Sequence, residues 1–240
     1  MQRVSSTEIQ NNFGNYLLIA QEQDVIITRN GKDVARLSGL NKRNDLVSEE
    51  IPSQGYGLRK ATYEEFLEFT KEETLDRYEY IDGEIFLQAS PKVAHQFASA
   101  KIFGIFSNIL NEQTCQPFTA PFDITISRHE GDINVVQPDL MIICALEENL
   151  GDDGYYHGIP ELVVEILSSG TKRNDLIKKL NLYLDGGIKE YWIVDPEIKQ
   201  VLIYRFEDGQ ILKNKAFSSP GKAVSFLFPN LEVDLAKVFL

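Results

Sequence analysis

Two acidic residues stand where hydrophobic strands would ordinarily carry none. Glu165 lies inside PELVVEILSSG, residues 160–170, among Leu162, Val163, Val164, Ile166 and Leu167, and Asp139 follows Pro138 and precedes LMIIC. An ionised carboxylate buried without partners costs several kcal/mol, so such a group is protonated, paired or bound to a cation. If the two strands are neighbours, both carboxylates can converge on one hard divalent ion, which prefers oxygen ligands. Alternation sets Asp139 on the face of Met141 and Ile143, and Glu165 on that of Val163 and Leu167. Downstream of Glu165, Asp175, Lys179 and Tyr183 recur every four residues on one helix edge, beside the apolar stripe Leu176 and Leu180. Lys179 can run its stem along the core and deliver its ammonium to the end of the strand, whereas Lys178, one step round, is expected to face water. A divalent cation and a lysine beside two carboxylates suit phosphodiester hydrolysis. The cation acidifies a water and offsets charge in the pentavalent transition state, and the lysine stabilises or orients.

The overall charge opposes that reading. With 24 basic against 36 acidic residues, the 240-residue chain carries a net charge of -12 and repels nucleic acid unless a cation or a local basic cluster intervenes. Lys172, Arg173, Lys178 and Lys179 are the sequence-local candidates for such a cluster. At 43% hydrophobic residues the chain can bury a sizeable core. It contains no apolar run approaching the ~20 residues of a membrane helix, and the polar start is unlike a secretory signal, so a cytoplasmic protein without membrane attachment is expected. Cys115 and Cys144 are too few for a disulfide framework and lack metal-ligand spacing, which predicts two small buried hydrophobes in a reducing compartment.

The elements that must position the acids follow from periodicity. Residues 1–40 hold a short helix capped by Ser5 or Ser6, with Glu8 at capping-box distance and Ile9, Phe13, Leu17 and Leu18 as its apolar stripe. A hairpin follows, built on runs 25–28 and 34–37 about the Asn30-Gly31 turn. Residues 41–57 are polar and aperiodic and read as a linker. Residues 58–240 alternate α and β patterns. They begin with a helix around Tyr63, Phe66 and Leu67 and a hairpin about Asp82-Gly83, followed by an amphipathic helix carrying Phe97, Ile102, Phe106 and Ile109. Strands are expected at 123–127, 135–144 and 161–167, and then a helix ended by Gly186-Gly187. Strands in EYWIVDP and QVLIYRF and a last one near 224–228 complete the pattern. His95, near a helix start, is open to two readings: a general acid or base, or a histidine satisfied by solvent.

The segments RYEYIDGEI, SPKVAHQ, VQPDLMII and GIPELVVEILSSGTKRNDLIKKLNLYLDGGIKEYWIVDP resemble the Uma-type endonucleases of the PD-(D/E)XK restriction-endonuclease-like superfamily. The resemblance spans residues 61 to about 235. It implies a mixed α/β core, with a central mixed sheet flanked by helices. It makes Glu79 the first-motif glutamate, Asp139 the motif aspartate and Glu165 the second acidic ligand. No lysine stands two residues after Glu165, where Leu167 is found, and the resemblance moves that role to Lys179 on the following helix. The family's usual Ser-Pro-Ser-Thr appears here as Ser168-Ser169-Gly170-Thr171. The expected chemistry is a Mg²⁺- or Mn²⁺-dependent endonuclease acting on nucleic acid, with DNA expected over RNA. Asp139, Glu165 and the main-chain carbonyl of Ile166 hold the ion, Lys179 assists the attacking water, and Glu79 tunes one or the other.

Residues 3–39 resemble the DNA-binding half of Phd/YefM-type antitoxins, with the helix, the hairpin and the ITRNGKxVA turn in place. That resemblance implies a homodimer, a small α+β unit and candidate phosphate contacts at Arg3, Arg29, Asn30 and Lys32, as Lys172 and Arg173 would supply in the larger domain. A toxin partner is unspecified. The competing expectation is a non-enzymatic DNA-binding regulator whose nuclease-like domain is inactive, and the acidic balance favours it.

Overall fold

The computed structural model describes residues 2–11, 13, 16, 19–20, 23–29, 31–37, 57–71, 77–88, 90–110, 114–168 and 174–240. The chain opens with β1 (Gln2–Ser5) and α1 (Ser6–Asn11), whose first turn is capped by Ser5 Oγ accepting the Glu8 amide at 3.1 Å. β2 (Val25–Arg29) pairs parallel with β1 and antiparallel with β3 (Lys32–Leu37), and Gly31 takes the positive φ of 75° that the turn demands. Val4, Ile9, Tyr16, Ala20 and Val25 form a small core of their own. Phe13, expected inside, is 36% exposed, and Leu17 and Leu18 lie outside the described residues.

A five-stranded sheet, ordered β4-β6-β5-β9-β8, follows in the larger part of the chain. It comprises β4 (Gly57–Lys60), β5 (Arg77–Ile81), β6 (Glu84–Gln88), β8 (Ile124–Ile126) and β9 (Asn134–Val136). Asp82 (φ 53°) and Gly83 (φ 74°) close the β5–β6 hairpin, the left-handed pair that a two-residue turn needs. α2 (Tyr63–Thr70) packs on it, held at its start by a complete capping box between Thr62 and Glu65.

The six-stranded mixed sheet runs β14-β13-β12-β11-β10-β7. Its strands are β7 (Cys115–Thr119), β10 (Leu140–Cys144), β11 (Leu162–Ile166), β12 (Glu190–Asp195), β13 (Gln200–Glu207) and β14 (Gln210–Ser218). Only β11 and β12 pair in parallel, and a parallel neighbour requires a crossover, supplied by α4 (Asn174–Asp185). Because both faces are covered, β10, β11 and β12 are apolar on both sides. One face packs Leu140, Ile142, Leu162, Val164 and Trp192 against Ala98, Ile102 and Phe106 of α3 (Val93–Ile109). The other packs Met141, Ile143, Val163, Tyr191 and Ile193 against Leu180, Tyr183 and Leu184 of α4 and against Ile81, Ile124 and Val136 of the second sheet.

Three expectations are corrected. The single strand expected at 135–144 is two strands in different sheets, β9 and β10, because Pro138 has no N–H for a ladder and the chain turns out at residues 137–139. The strand expected near 224–228 is β15 (Lys222–Val224), which stops at Val224 and pairs with a further strand, β16 (Glu232–Asp234). The amides of Phe226 and Leu227 instead donate to Glu190 Oε2, both at 2.7 Å. Glu190 is fully buried and also accepts Trp192 Nε1 at 2.6 Å, so a carboxylate rather than a ladder anchors this loop. Cys115 and Cys144, read as separate thiols, face each other across the β7–β10 ladder and form a disulfide.

Candidate active site

β10 and β11 pair antiparallel with Leu140 opposite Val164 and Met141 opposite Val163, and one further step of that register sets Asp139 opposite Glu165. Both fall on the α4 face, as alternation from Met141 and Val163 requires. β5, whose Tyr80 pairs with Val135 of β9, brings Glu79 to the same place from the second sheet. The chain leaving β9 fixes it there, because the Gln137 amide donates to Glu79 Oε1 at 2.9 Å. Glu79 is 4% exposed. The bend at residues 137–139 therefore serves both acids, tethering Glu79 by its first residue and carrying Asp139 as its last.

Lys179 closes the cluster from α4. Its Nζ lies 2.9 Å from Glu79 Oε1 and 2.9 Å from Glu165 Oε1, with the residue 5% exposed. One turn on, the Tyr183 hydroxyl donates to the same Glu165 oxygen at 2.6 Å. Burial alone would strip the Lys179 proton, but Glu165 and Glu79 outweigh it and raise its pKa, so it stays an ammonium. Burial raises the Glu165 carboxyl to about 8. Lys179 and the Tyr183 hydrogen bond oppose that shift, and the charges of Asp139 and Glu79 reinforce it. Burial also raises the Tyr183 hydroxyl well above its usual range, with Glu165 adding to the effect, which keeps it a donor.

Asp139 is gripped at one oxygen. Its Oδ2 accepts the Ile166 amide at 2.7 Å and contacts His95 Nε2 at 3.1 Å. Each of the three carboxylates thus spends a single oxygen on protein partners, and Glu79 Oε2, Asp139 Oδ1 and Glu165 Oε2 accept no hydrogen bond among the described residues. Three acids against one lysine leave an excess of negative charge in a poorly solvated place. That surplus, together with unclaimed carboxylate oxygens, is the donor set a hard divalent cation takes. Among the described residues, no three His, Cys, Asp or Glu side chains close into a metal-ligand group. Two carboxylates are few ligands for a protein-only cage, and they fit only the kind of ion that, like Mg²⁺, takes one or two carboxylates and fills its remaining positions with waters or phosphate oxygens.

The structure brings Glu79, Asp139, Glu165 and Lys179 together, and the Ile166 amide and His95 join them through Asp139. The sequence places Tyr183 on the same helix edge as Lys179 but assigns it no role in the site. Its spacing of four from Lys179 was the available signal for its bond to Glu165. Lys178 is partly turned to water, its side chain 31% exposed, but it is not free. It pairs with Glu84 at 2.6 Å and lies 4.7 Å from the Phe86 ring centroid, so it adds no free positive charge. Lys172, Arg173 and Asn30 lie outside the described residues. Arg29 and Lys32 are exposed on the N-terminal hairpin, and Arg3 pairs with Asp33 at 3.2 Å.

Most of the chain is similar to known proteins. Residues 63–236 match the Uma2 family, described as "Putative restriction endonuclease". An uncharacterized protein of Synechocystis sp., slr1290, is 25% identical over 150 residues, covering 62% of this chain and 76% of that protein. A crystal structure described as "a putative nuclease belonging to DUF820 from Anabaena variabilis" superposes with a TM-score of 0.59 at 22% identity, covering 74% of this chain and 97% of its own. That likeness establishes a common fold. No helix among the described residues is long and apolar enough to cross a membrane.

Proposed function

The chain belongs to the Uma2 family of restriction-endonuclease-like proteins, and on that premise we propose that it is a divalent-metal-dependent endonuclease cleaving phosphodiester bonds of nucleic acid, DNA in the first instance. One observation carries the reading: Glu79 of β5 and Glu165 of β11 both pair with the buried Lys179, Asp139 joins them from the bend before β10, and each carboxylate keeps an oxygen that accepts no hydrogen bond among the described residues. Asp139 Oδ1 and Glu165 Oε2, with the Ile166 carbonyl, are the groups that would hold Mg²⁺ or Mn²⁺. When bound, that ion supplies positive charge beside the scissile phosphate and lowers the pKa of a water.

The chain's own residues do the rest. Lys179 uses two of its three N–H donors on Glu79 and Glu165, which leaves one to orient the attacking water or to meet a phosphate oxygen as charge develops there. Glu79 holds the ammonium jointly with Glu165, which restricts where that third donor points. Tyr183 keeps Glu165 from rotating away. Lys172 and Arg173 are proposed phosphate contacts, needed because a net charge of -12 otherwise repels the substrate. Residues 1–40 are proposed as a self-associating unit, since β3 is an edge strand exposed at nearly every residue.

Purified protein with Mg²⁺ or Mn²⁺ should nick or cut plasmid DNA, and Asp139→Ala or Lys179→Ala should reduce the rate by about 10²–10³-fold or more. Equal trace cleavage by wild type and both variants would identify a contaminant and sink the proposal.

A further inference from the structure

Asp139 can serve a cation well only if one of its oxygens is kept out of the way. Two donors do this from different elements: the Ile166 amide of β11 at 2.7 Å and His95 Nε2 of α3 at 3.1 Å, both at Oδ2. Because that oxygen belongs to a carboxylate, the His95 nitrogen facing it must carry the hydrogen. In the neutral imidazole His95 Nδ1 is then the bare ring nitrogen, and it is buried with no hydrogen-bond partner among the described residues. A bare nitrogen buried without a donor costs about 1–3 kcal/mol. A ring that served only stability would be better replaced by an apolar one, so the cost points to a task at Nε2. The ring is otherwise well confined, its side chain 11% exposed.

We propose that His95 is a positioning residue for Asp139: its Nε2–H holds Oδ2 so that Oδ1 is presented, at a fixed angle, to the cation. This rests on the metal-dependent reading above. It separates His95 from general acid–base chemistry, because the nitrogen turned toward the site is committed to Asp139 and the other is enclosed. Partners of this kind behind a metal-binding group typically change metal affinity by about 10–100-fold.

Mn²⁺ binding to the full-length protein, followed by electron paramagnetic resonance, tests the idea apart from turnover. His95→Leu should weaken binding by about 10–100-fold, whereas His95→Gln, whose amide can reach Oδ2 with an N–H, should recover most of it. A ¹⁵N-imidazole spectrum of the metal-free protein should show His95 protonated at Nε2 and bare at Nδ1, whether or not the leucine variant folds. Wild-type affinity in His95→Leu, or a ring protonated only at Nδ1, overturns the assignment and leaves the nuclease reading intact. A wild-type protein that binds no Mn²⁺ overturns both.

Discussion

Replacing Glu165 by glutamine removes a carboxyl whose ionisation is held back to about pH 8 by burial and by its acidic neighbours. In the unfolded chain the same group titrates near the ordinary glutamate value, about 4.3. A folded-state pKa above the unfolded one means the native protein binds the proton more tightly. The stability this confers is complete below about pH 4 and is lost as the pH rises toward and through 8. Between about pH 6 and about pH 9 the linkage amounts to about 2–3 kcal/mol, or roughly 5–10 °C in melting temperature for a domain of this size. The assay is urea unfolding of metal-free wild type and Glu165→Gln across that range. The difference between the two curves reports Glu165 together with the groups it is coupled to, Lys179 above all. Wild type should lose about 2–3 kcal/mol relative to the variant as the pH rises, and Mn²⁺ should restore wild type alone, since a cation beside the carboxylate substitutes for the proton. Parallel pH profiles for the two proteins would refute the account of the site as a surplus of buried negative charge.

Other outcomes follow from single contacts. Tyr183→Phe deletes the 2.6 Å donor to Glu165 and should cost about 1–2 kcal/mol in urea unfolding while also weakening Mn²⁺ binding; unchanged affinity would show that the hydroxyl does not steer the carboxylate. Lys178→Ala breaks a half-exposed pair with Glu84 and should cost less than about 1 kcal/mol, with DNA cleavage within about threefold of wild type; a loss like that of Lys179→Ala would mean the wrong lysine has been assigned. Glu190→Gln replaces an acceptor of three hydrogen bonds in the core, so a loss of about 2–4 kcal/mol is expected, with a shift in emission of Trp192, the only tryptophan in the chain. Cys115 and Cys144 should resist alkylation until a reductant is added, as read by mass spectrometry of the intact protein; two labelled thiols in untreated protein would contradict the cross-strand bond.

The sequence revealed most where local chemistry is restrictive. Asp82-Gly83 announces its hairpin because few residue pairs tolerate positive φ, and Glu165 stands out because a charged group inside an apolar strand demands a partner. Lys179 could be picked over Lys178 because a turn of helix divides buried from wet. What stayed hidden depended on distant pairing. β14 is an edge strand of mostly polar residues without a two-residue alternation, so it leaves no apolar run to notice, and β7 is interrupted by Pro117. The split of 135–144 was invisible because both halves are hydrophobic for different reasons, one facing the second sheet and the other the central one. The Cys115–Cys144 bond needed the β7–β10 register, which no count of cysteines supplies.

The bend at residues 137–139 makes one stretch of backbone answer to two separately built layers. Should the central sheet form while the hairpin carrying Glu79 has yet to dock, Lys179 lacks half its cage and Asp139 has no fixed approach to it. If the site cuts as proposed, a molecule whose two layers have not docked would be harmless, as an interlock would arrange it.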